Sequence, residues 1–315
     1  MSKLHVSFVI PLYNEAEVFA ELIERLDAIA AKLNYNCEVV LVDDGSRDNT
    51  PFFMEEVQQK NPMYQCIFLS RNFGQQVAIS AGLDFARGDY IMFLDADLQD
   101  PPELYFHFME KIEEGYDVVY GVRTNRKEGK LKRLSYNLFY RILNRISSFP
   151  IPKDSGDFAL ISRRVALAMN QHREDSRFLR GIRSWVGFKQ LGVPYERMER
   201  QAGVTKYTLR KLIKLATDGI FNFTTLPITI LIALGTLCIA SSLVYFVITA
   251  IRKFYFHDVP AGFTALLFTI ILFGGLQLFF IGIIGEYIQR IFIQVKNRPL
   301  YHIKKTIIDG QVEGH

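Results

Sequence analysis

Tyr90-Ile91-Met92-Phe93-Leu94-Asp95-Ala96-Asp97-Leu98-Gln99-Asp100 runs from an unbroken apolar segment straight into three carboxylates and an amide. The apolar part reads as a buried strand, so the acidic cluster falls where that strand ends. Carboxylates crowded together repel one another unless a cation or cationic side chain lies among them. Oxygen-only ligands suit a hard divalent ion such as Mg²⁺ or Mn²⁺, which in enzymes usually also contacts substrate phosphates. The stretch therefore predicts a metal-assisted site for a phosphorylated ligand. A solvated acidic loop is the alternative. The strand before it and Pro101-Pro102 after it favour the site.

Outward from this strand the first half alternates strand and helix. Val6–Ile10, Glu38–Val42, Cys66–Leu69 and Asp117–Tyr120 read as further strands. Glu15–Lys32 is amphipathic, with Val18, Leu22, Leu26 and Ile29 on one face. Thr50–Lys60 carries Pro51 in its first turn, where proline is tolerated, and Gln75–Ala86 is a third helix. This order predicts an α/β domain with a mainly parallel sheet and helices on both faces. Ligands of such sheets bind beyond the carboxyl ends of the strands. The polar clusters Tyr13-Asn14-Glu15, Asp43-Asp44-Gly45-Ser46, Arg71-Asn72 and Asp95–Asp100 lie at those ends. No Gly-x-Gly-x-x-Gly follows the first strand and there is no Walker loop, so dinucleotide and P-loop readings lack their phosphate cradle. Asp43-Asp44 can accept hydrogen bonds from a base or ribose hydroxyl, but taken alone it reads more readily as a turn with a helix cap, and Asp157 in Ser155-Gly156-Asp157-Phe158 reads as an acceptor-side carboxylate or a turn residue.

The chain has 315 residues, a formal charge of +4 and 22% charged residues, yet a mean hydropathy of +0.10. The apolar residues are segregated. Leu226–Ile251 and Val259–Gly285 carry no charge, and each exceeds the roughly 20 residues that span a bilayer. Lys206, Arg210, Lys211 and Lys214 precede the first span, while Arg290, Lys296, Arg298, Lys304 and Lys305 follow the second. This bias predicts cytoplasmic flanks and a membrane partner rather than nucleic acid. Cys37, Cys66 and Cys238 are too scattered for a disulfide framework or zinc cluster. Met1–Ile10 makes a poor signal peptide. The predicted organisation is a catalytic domain over 1–205, a juxtamembrane amphipathic helix over 206–225, spans at 226–251 and 259–285, and a tail over 286–315. Lys127–Lys132 reads as a basic loop. Arg133–Ile146 and Leu209–Phe223 are amphipathic, suited to a membrane surface or to packing on the sheet. Gly274, Gly275, Gly282 and Gly285 permit close helix contacts, which leaves a homo-oligomer open.

Val9-Ile10-Pro11-Leu12-Tyr13-Asn14-Glu15, Val42-Asp43-Asp44-Gly45-Ser46 and Asp95-Ala96-Asp97, in this order and spacing, resemble the nucleotide-sugar motifs of glycosyltransferase family 2, inverting enzymes of GT-A fold. Leu98-Gln99-Asp100-Pro101-Pro102-Glu103 resembles the branch that glycosylates polyprenyl phosphates, including dolichyl-phosphate mannosyltransferases. Arg71-Asn72-Phe73-Gly74, Ser155-Gly156-Asp157-Phe158 and the two spans bring it nearest to bacterial bactoprenyl-phosphate glucosyltransferases. The resemblance implies that Pro11, Tyr13, Glu15, Asp44, Gly74 and Asp95 line the nucleotide-sugar pocket. It implies that Asp97 and Gln99 hold Mg²⁺ or Mn²⁺ on the diphosphate, and that Asp157 acts as base or orienting group. Arg123, Arg133, Ser135, Arg200 and Lys206 are implied to bind acceptor phosphate. UDP-glucose is the implied donor, polyprenyl phosphate the acceptor, and the bacterial inner membrane the location, with both termini cytoplasmic. Two rivals stand beside it: a processive polysaccharide synthase, from which Arg180-Gly181-Ile182-Arg183-Ser184-Trp185 departs, and a non-catalytic scaffold that binds a nucleotide-sugar.

Overall fold

The computed structural model describes residues 5–124, 155–174, 177–196, 226–256 and 262–314. They fall into two compact units. One holds the residues up to 196 and those from Pro299 onward, and the other holds the apolar segment between.

In the first unit β1 (Val6–Leu12), β2 (Cys37–Asp43), β3 (Tyr64–Leu69) and β4 (Tyr90–Phe93) alternate with α1 (Phe19–Ala30), α2 (Thr50–Lys60) and α3 (Gln75–Phe85). There follow α4 (Leu104–Glu113), β5 (Val118–Thr124), β6 (Ser155–Ser162), α5 (Arg163–Gln171), α6 (Leu179–Trp185) and β7 (Gln190–Glu196). Every residue of β1 is buried, because both faces of the strand are covered. Phe8, Ile10 and Leu12 join a core that includes Leu22, Leu26 and Ile29 of α1. Val9 points the other way, into a core with Ala78, Ile79 and Leu83 of α3. This period of two, buried on both sides, is what a helix-covered strand requires.

The sheet order is β7-β5-β6-β4-β1-β2-β3-β8-β9. Its centre, β4-β1-β2-β3, is parallel, as the crossover helices dictate. The outer part departs from the expected parallel arrangement. β6 is antiparallel to both β4 and β5, so the sheet is mixed. The first helix also starts later than expected, at Phe19 rather than Glu15. The preceding backbone is held in a loop: Asn14 N–H donates to Ser46 Oγ, Glu15 N–H to Thr50 Oγ1 and Ala16 N–H to Asp48 Oδ2.

The tail supplies structure that the sequence reading left out. Ile303–Ile308 (β8) pairs antiparallel with β3, and Gln311–Gly314 (β9) pairs with β8. Asp309 and Gly310 join them, both with positive φ (51° and 80°), the two-residue turn that suits strand twist. Asp309 is fastened to Gln65 and Arg87. Lys305, read as a membrane-flanking charge, pairs instead with Glu55 of α2 at 3.0 Å.

The second unit holds α7 (Leu226–Ile251), a π-helical turn at Arg252–Phe256, and α8 (Phe263–Val295). Within them, Pro227–Thr249 and Leu272–Val295 are long and apolar enough to cross a membrane. Among the described residues they are exposed: Ile239 is 73% and Leu278 73% exposed. Helices apolar around their circumference need an apolar solvent. α8 continues beyond Gly285 to Val295, with Glu286 and Arg290 paired one turn apart at 2.9 Å.

Candidate active site at the carboxyl edge of the sheet

Parallel strands deliver the ends of β1, β2, β3 and β4 to one edge. β6 starts at that edge and β5 ends there, because β6 runs against both β4 and β5. Asp157, two residues before the Ala159 that pairs with Phe93, thus lies beside the Asp95–Asp100 loop.

The loops at this edge are tied to one another in order. Asn14 (φ 54°) accepts at Oδ1 from Arg47 N–H and donates to Ser46 Oγ. Asp43 Oδ1 accepts from Ser46 N–H. Buried Asp44 spends its two carboxylate oxygens on the backbone of the next loop, accepting from Phe73 N–H at 2.7 Å and Gly74 N–H at 2.9 Å. Burial raises the pKa of Asp44, and these two bonds partly offset the rise. Asp44 therefore anchors the Arg71–Gly74 loop, whose Arg71 stacks over Phe73 at 4.0 Å. Gly74 (φ 101°) leads into α3.

The first two residues of α3 each reach a site carboxylate. Gln75 Nε2 donates to Asp95 Oδ1 at 2.6 Å, and Gln76 Nε2 to Asp157 Oδ2 at 2.7 Å. Asp97 Oδ1 accepts from Gln99 N–H at 3.2 Å, and Leu98 between them has φ 55°. Asp95, Asp97 and Gln99 are half-buried, whereas Asp100 is buried. Burial, then repulsion from Asp100, Asp157 and Asp97, pushes Asp95 up to about 7, against the pull of Arg123. The edge thus carries an excess of negative charge that a cation would relieve.

Cationic groups border this cluster. Arg123 Nη2 lies 3.4 Å from Asp100 and its Nε donates to Tyr195 Oη at 3.3 Å, while Tyr195 Oη donates to Asp100. A Cβ on Gly156 would meet Arg123 Nη2 at 2.8 Å, so glycine there leaves room for the guanidinium. Arg123 is thus engaged by Asp100. Arg180 Nε donates to Asp157 Oδ1 at 3.1 Å. Arg183, also on α6, is buried, with Nε and Nη2 lacking hydrogen-bond partners. It stacks on Tyr120 at 4.6 Å, and burial pulls it down to about 10 despite the nearby Asp157. A small cavity lined by Phe93, Asp157, Met169, Leu179, Arg180 and Arg183 joins these groups. A broader groove along α1, bordered by Arg25 and Glu103, includes none of the strand-end residues.

The structure brings Tyr13, Glu15, Asp44, Gly74, Asp95, Asp97, Gln99, Arg123 and Asp157 to one edge. Pro11 is buried within β1 opposite Val42. Arg133, Ser135, Arg200 and Lys206, and the helices expected over 133–146 and 209–223, lie outside the described residues. Sequence reasoning missed Gln75, Gln76, Arg180, Arg183 and Tyr195 as site neighbours.

Residues 7–168 match the family described as glycosyl transferase family 2. Two relatives align along almost the whole chain. The uncharacterized glycosyltransferase YkcC of Bacillus subtilis (strain 168) is 42% identical over 304 residues, 96% of this chain and 94% of its own length. The SfII prophage-derived bactoprenol glucosyl transferase of Shigella flexneri is 38% identical over 304 residues, 96% of this chain and 98% of its own. The chain belongs to glycosyltransferase family 2. It is a glycosyltransferase, and its mixed sheet is the catalytic fold expected of the family. Among solved structures, mannosyl-3-phosphoglycerate synthase from Rubrobacter xylanophilus has a TM-score of 0.44 at 20% identity, covering 68% of this chain and 70% of that one.

Among the described residues no three His, Cys, Asp or Glu side chains converge on a point that would hold a metal by themselves. The donors present nevertheless fit a divalent ion of the family 2 kind. They are oxygen-only and carry excess negative charge. Mg²⁺ in such sites takes one or two carboxylates and completes its shell with substrate phosphate and water.

Proposed function

We propose that this family 2 enzyme transfers a single sugar, glucose from UDP-glucose, to a membrane polyprenyl phosphate, with inversion at the anomeric carbon. The observation that carries the reading is the convergence of the Asp95–Asp100 carboxylates, Asp157 and the α6 arginines on one sheet edge, in a chain that also has two uncovered apolar helices. End-to-end similarity to proteins named bactoprenol glucosyl transferases supports the same acceptor.

In the proposed reaction a phosphate oxygen of the acceptor attacks the anomeric carbon. The bond from that carbon to the donor's diphosphate breaks, and the electron pair leaves with the nucleoside diphosphate. Asp97 and Gln99 would hold the divalent ion. Bound there, Mg²⁺ or Mn²⁺ supplies a Lewis acid for the charge that builds on the leaving group. Asp95, fixed by Gln75, and the Tyr13–Glu15 loop bind the nucleotide-sugar, and Asp44 and Gly74 set the loop beside them. Arg133, Ser135, Arg200 and Lys206 are assigned to the acceptor phosphate. Arg123, tied to Asp100, steadies the metal loop. The acceptor needs little proton removal, since a phosphate monoester loses its second proton near about pH 6. Asp157, with donors on both oxygens, accordingly orients rather than deprotonates.

The apolar helices place this chemistry at a bilayer, where the acceptor's isoprenoid tail is buried and only its phosphate emerges. That β8 returns to the same sheet as β3 supports an even number of crossings between them. The charge bias puts that sheet and both termini on the cytoplasmic side. The test is to incubate the purified protein with polyprenyl phosphate, Mg²⁺ and a panel of nucleotide-sugars, and to weigh the lipid product. One hexose on the lipid, from UDP-glucose above the other donors, is expected. A polymer, or donor binding with no transfer or donor hydrolysis, would overturn the reading.

A further inference from the structure

We infer that Gln76 is a positioning residue that fixes the acceptor-side carboxylate of Asp157, an inference that rests on the transfer reaction proposed above. Leu179 N–H, at the start of α6, donates to Gln76 Oε1 at 3.0 Å. That bond settles which end of the amide faces which way, so Gln76 Nε2 must be the group facing Asp157, 2.7 Å from Oδ2. The next residue of α6, Arg180, donates to Oδ1 of the same carboxylate at 3.1 Å. The result is a closed ring: Gln76 to Asp157, Asp157 to Arg180, and Arg180 through the backbone of Leu179 back to Gln76.

The ring has three independent supports. α3 places Gln76 through the Gly74 turn that Asp44 holds. β6 places Asp157 through its pairing with β4. α6 supplies the other two donors. The Asp157 side chain is only 10% exposed and that of Arg180 21%. In such a sheltered place a hydrogen bond to a charged group outweighs its counterpart in water. A carboxylate with donors on both oxygens has one orientation. Gln75, one residue earlier, donates to one oxygen of Asp95. The start of α3 therefore sets the position of a donor-side and an acceptor-side carboxylate together.

Gln76→Glu tests this without changing side-chain shape. The new carboxylate still accepts from Leu179 N–H, but it presents an acceptor where Asp157 needs a donor. We expect kcat for transfer at pH 8 to fall about ten- to a hundredfold, the worth of a hydrogen bond to a charged group, with the Kd for UDP-glucose unchanged. Activity relative to wild type at the same pH should recover toward pH 5.5, as a proton shared by the two carboxyls restores the bond. Gln76→Leu should lose the same kcat with no recovery at low pH. A crystal structure of Gln76→Leu gives a readout apart from turnover, and the Asp157 carboxylate should be rotated from its position in the wild type. Gln76→Glu matching an active wild type in kcat and pH profile would overturn the inference. So would an Asp157 carboxylate that stays in place in Gln76→Leu, or transfer, UDP-glucose affinity and Tm falling together in both variants. A wild-type protein that transfers nothing counts against the function proposed above, and the Asp157 geometry still decides the role of Gln76.

Discussion

Gly45 shows how tightly the nucleotide edge is built. Its φ is +71°, and a Cβ there would lie 2.6 Å from the carbonyl carbon of Arg71 and 2.7 Å from Asn72 N. Both are backbone atoms that cannot step aside. Gly45→Ala should therefore cost about 1–3 kcal/mol through strain at a positive φ and displacement of the Arg71–Gly74 loop, read as a lower Tm together with weaker UDP-glucose binding. Unchanged Tm and affinity would contradict this. Asp97→Ala is expected to abolish transfer in the presence of Mg²⁺ while Tm holds. Asp157→Asn should weaken transfer without altering the shape of the rate profile between about pH 7 and 9, because the acceptor phosphate is already ionised there. An acid limb in that range, present in wild type and lost in Asp157→Asn, would show Asp157 to be a proton acceptor after all. Asp95 and Asp97 were visible in the sequence because they stand where an apolar run ends, and Asp157 because it stands just before one. Gln76 and Tyr195 were not, since their partners, Asp157 and Asp100, lie 81 and 95 residues away. Pairings of that range depend on the sheet order and leave no local pattern.

At the scale of elements, apolar periodicity carried the central strands, α1 and α2, where burial on both sheet faces dictates side-chain type. It failed where polarity conceals structure. β8 is Ile-Lys-Lys-Thr-Ile-Ile, and its lysines read as a flank of the membrane span. The Asp309-Gly310 pair after it was the available signal, since that dipeptide between apolar runs is a strong hairpin marker. The hairpin is a working part of the domain: Thr306 and Ile307 are buried against β3. Ile307→Asp should cost about 2–4 kcal/mol, as an unpaired carboxylate enters the core, and thermal unfolding would measure it. The hairpin also carries a pH signature. Hydrogen bonding to Arg87 holds Asp309 below its ordinary carboxylate range. The stability from this bond is thus present above the unfolded pKa of about 4 and lost as pH falls through the lowered folded value. Asn tolerates the same positive φ, so Asp309→Asn isolates the charge. Its Tm deficit relative to wild type should be constant between about pH 5 and 7 and shrink toward zero below about pH 3. A deficit independent of pH would show that the charge contributes nothing.

At the scale of the whole molecule, the catalytic sheet is completed by chain that follows the two apolar helices. The two apolar helices are therefore an insertion between parts of one domain, and a truncation at residue 225 would strip β8 and β9 as well as the spans. Such a truncation should lose stability and donor binding together. Replacing the spans while retaining 299–315 should keep UDP-glucose binding and lose transfer to long-chain acceptors. Equal donor binding by both versions would contradict the structural role given to the tail. The account turns on the acidic edge at the end of β4. The most direct measurement is anomalous scattering at the manganese edge from crystals of the full chain soaked with Mn²⁺ and UDP. The account predicts one strong peak between the diphosphate and the Asp97 carboxylate, absent in Asp97→Ala. Nucleotide bound in wild-type crystals with no peak beside Asp97 would contradict it.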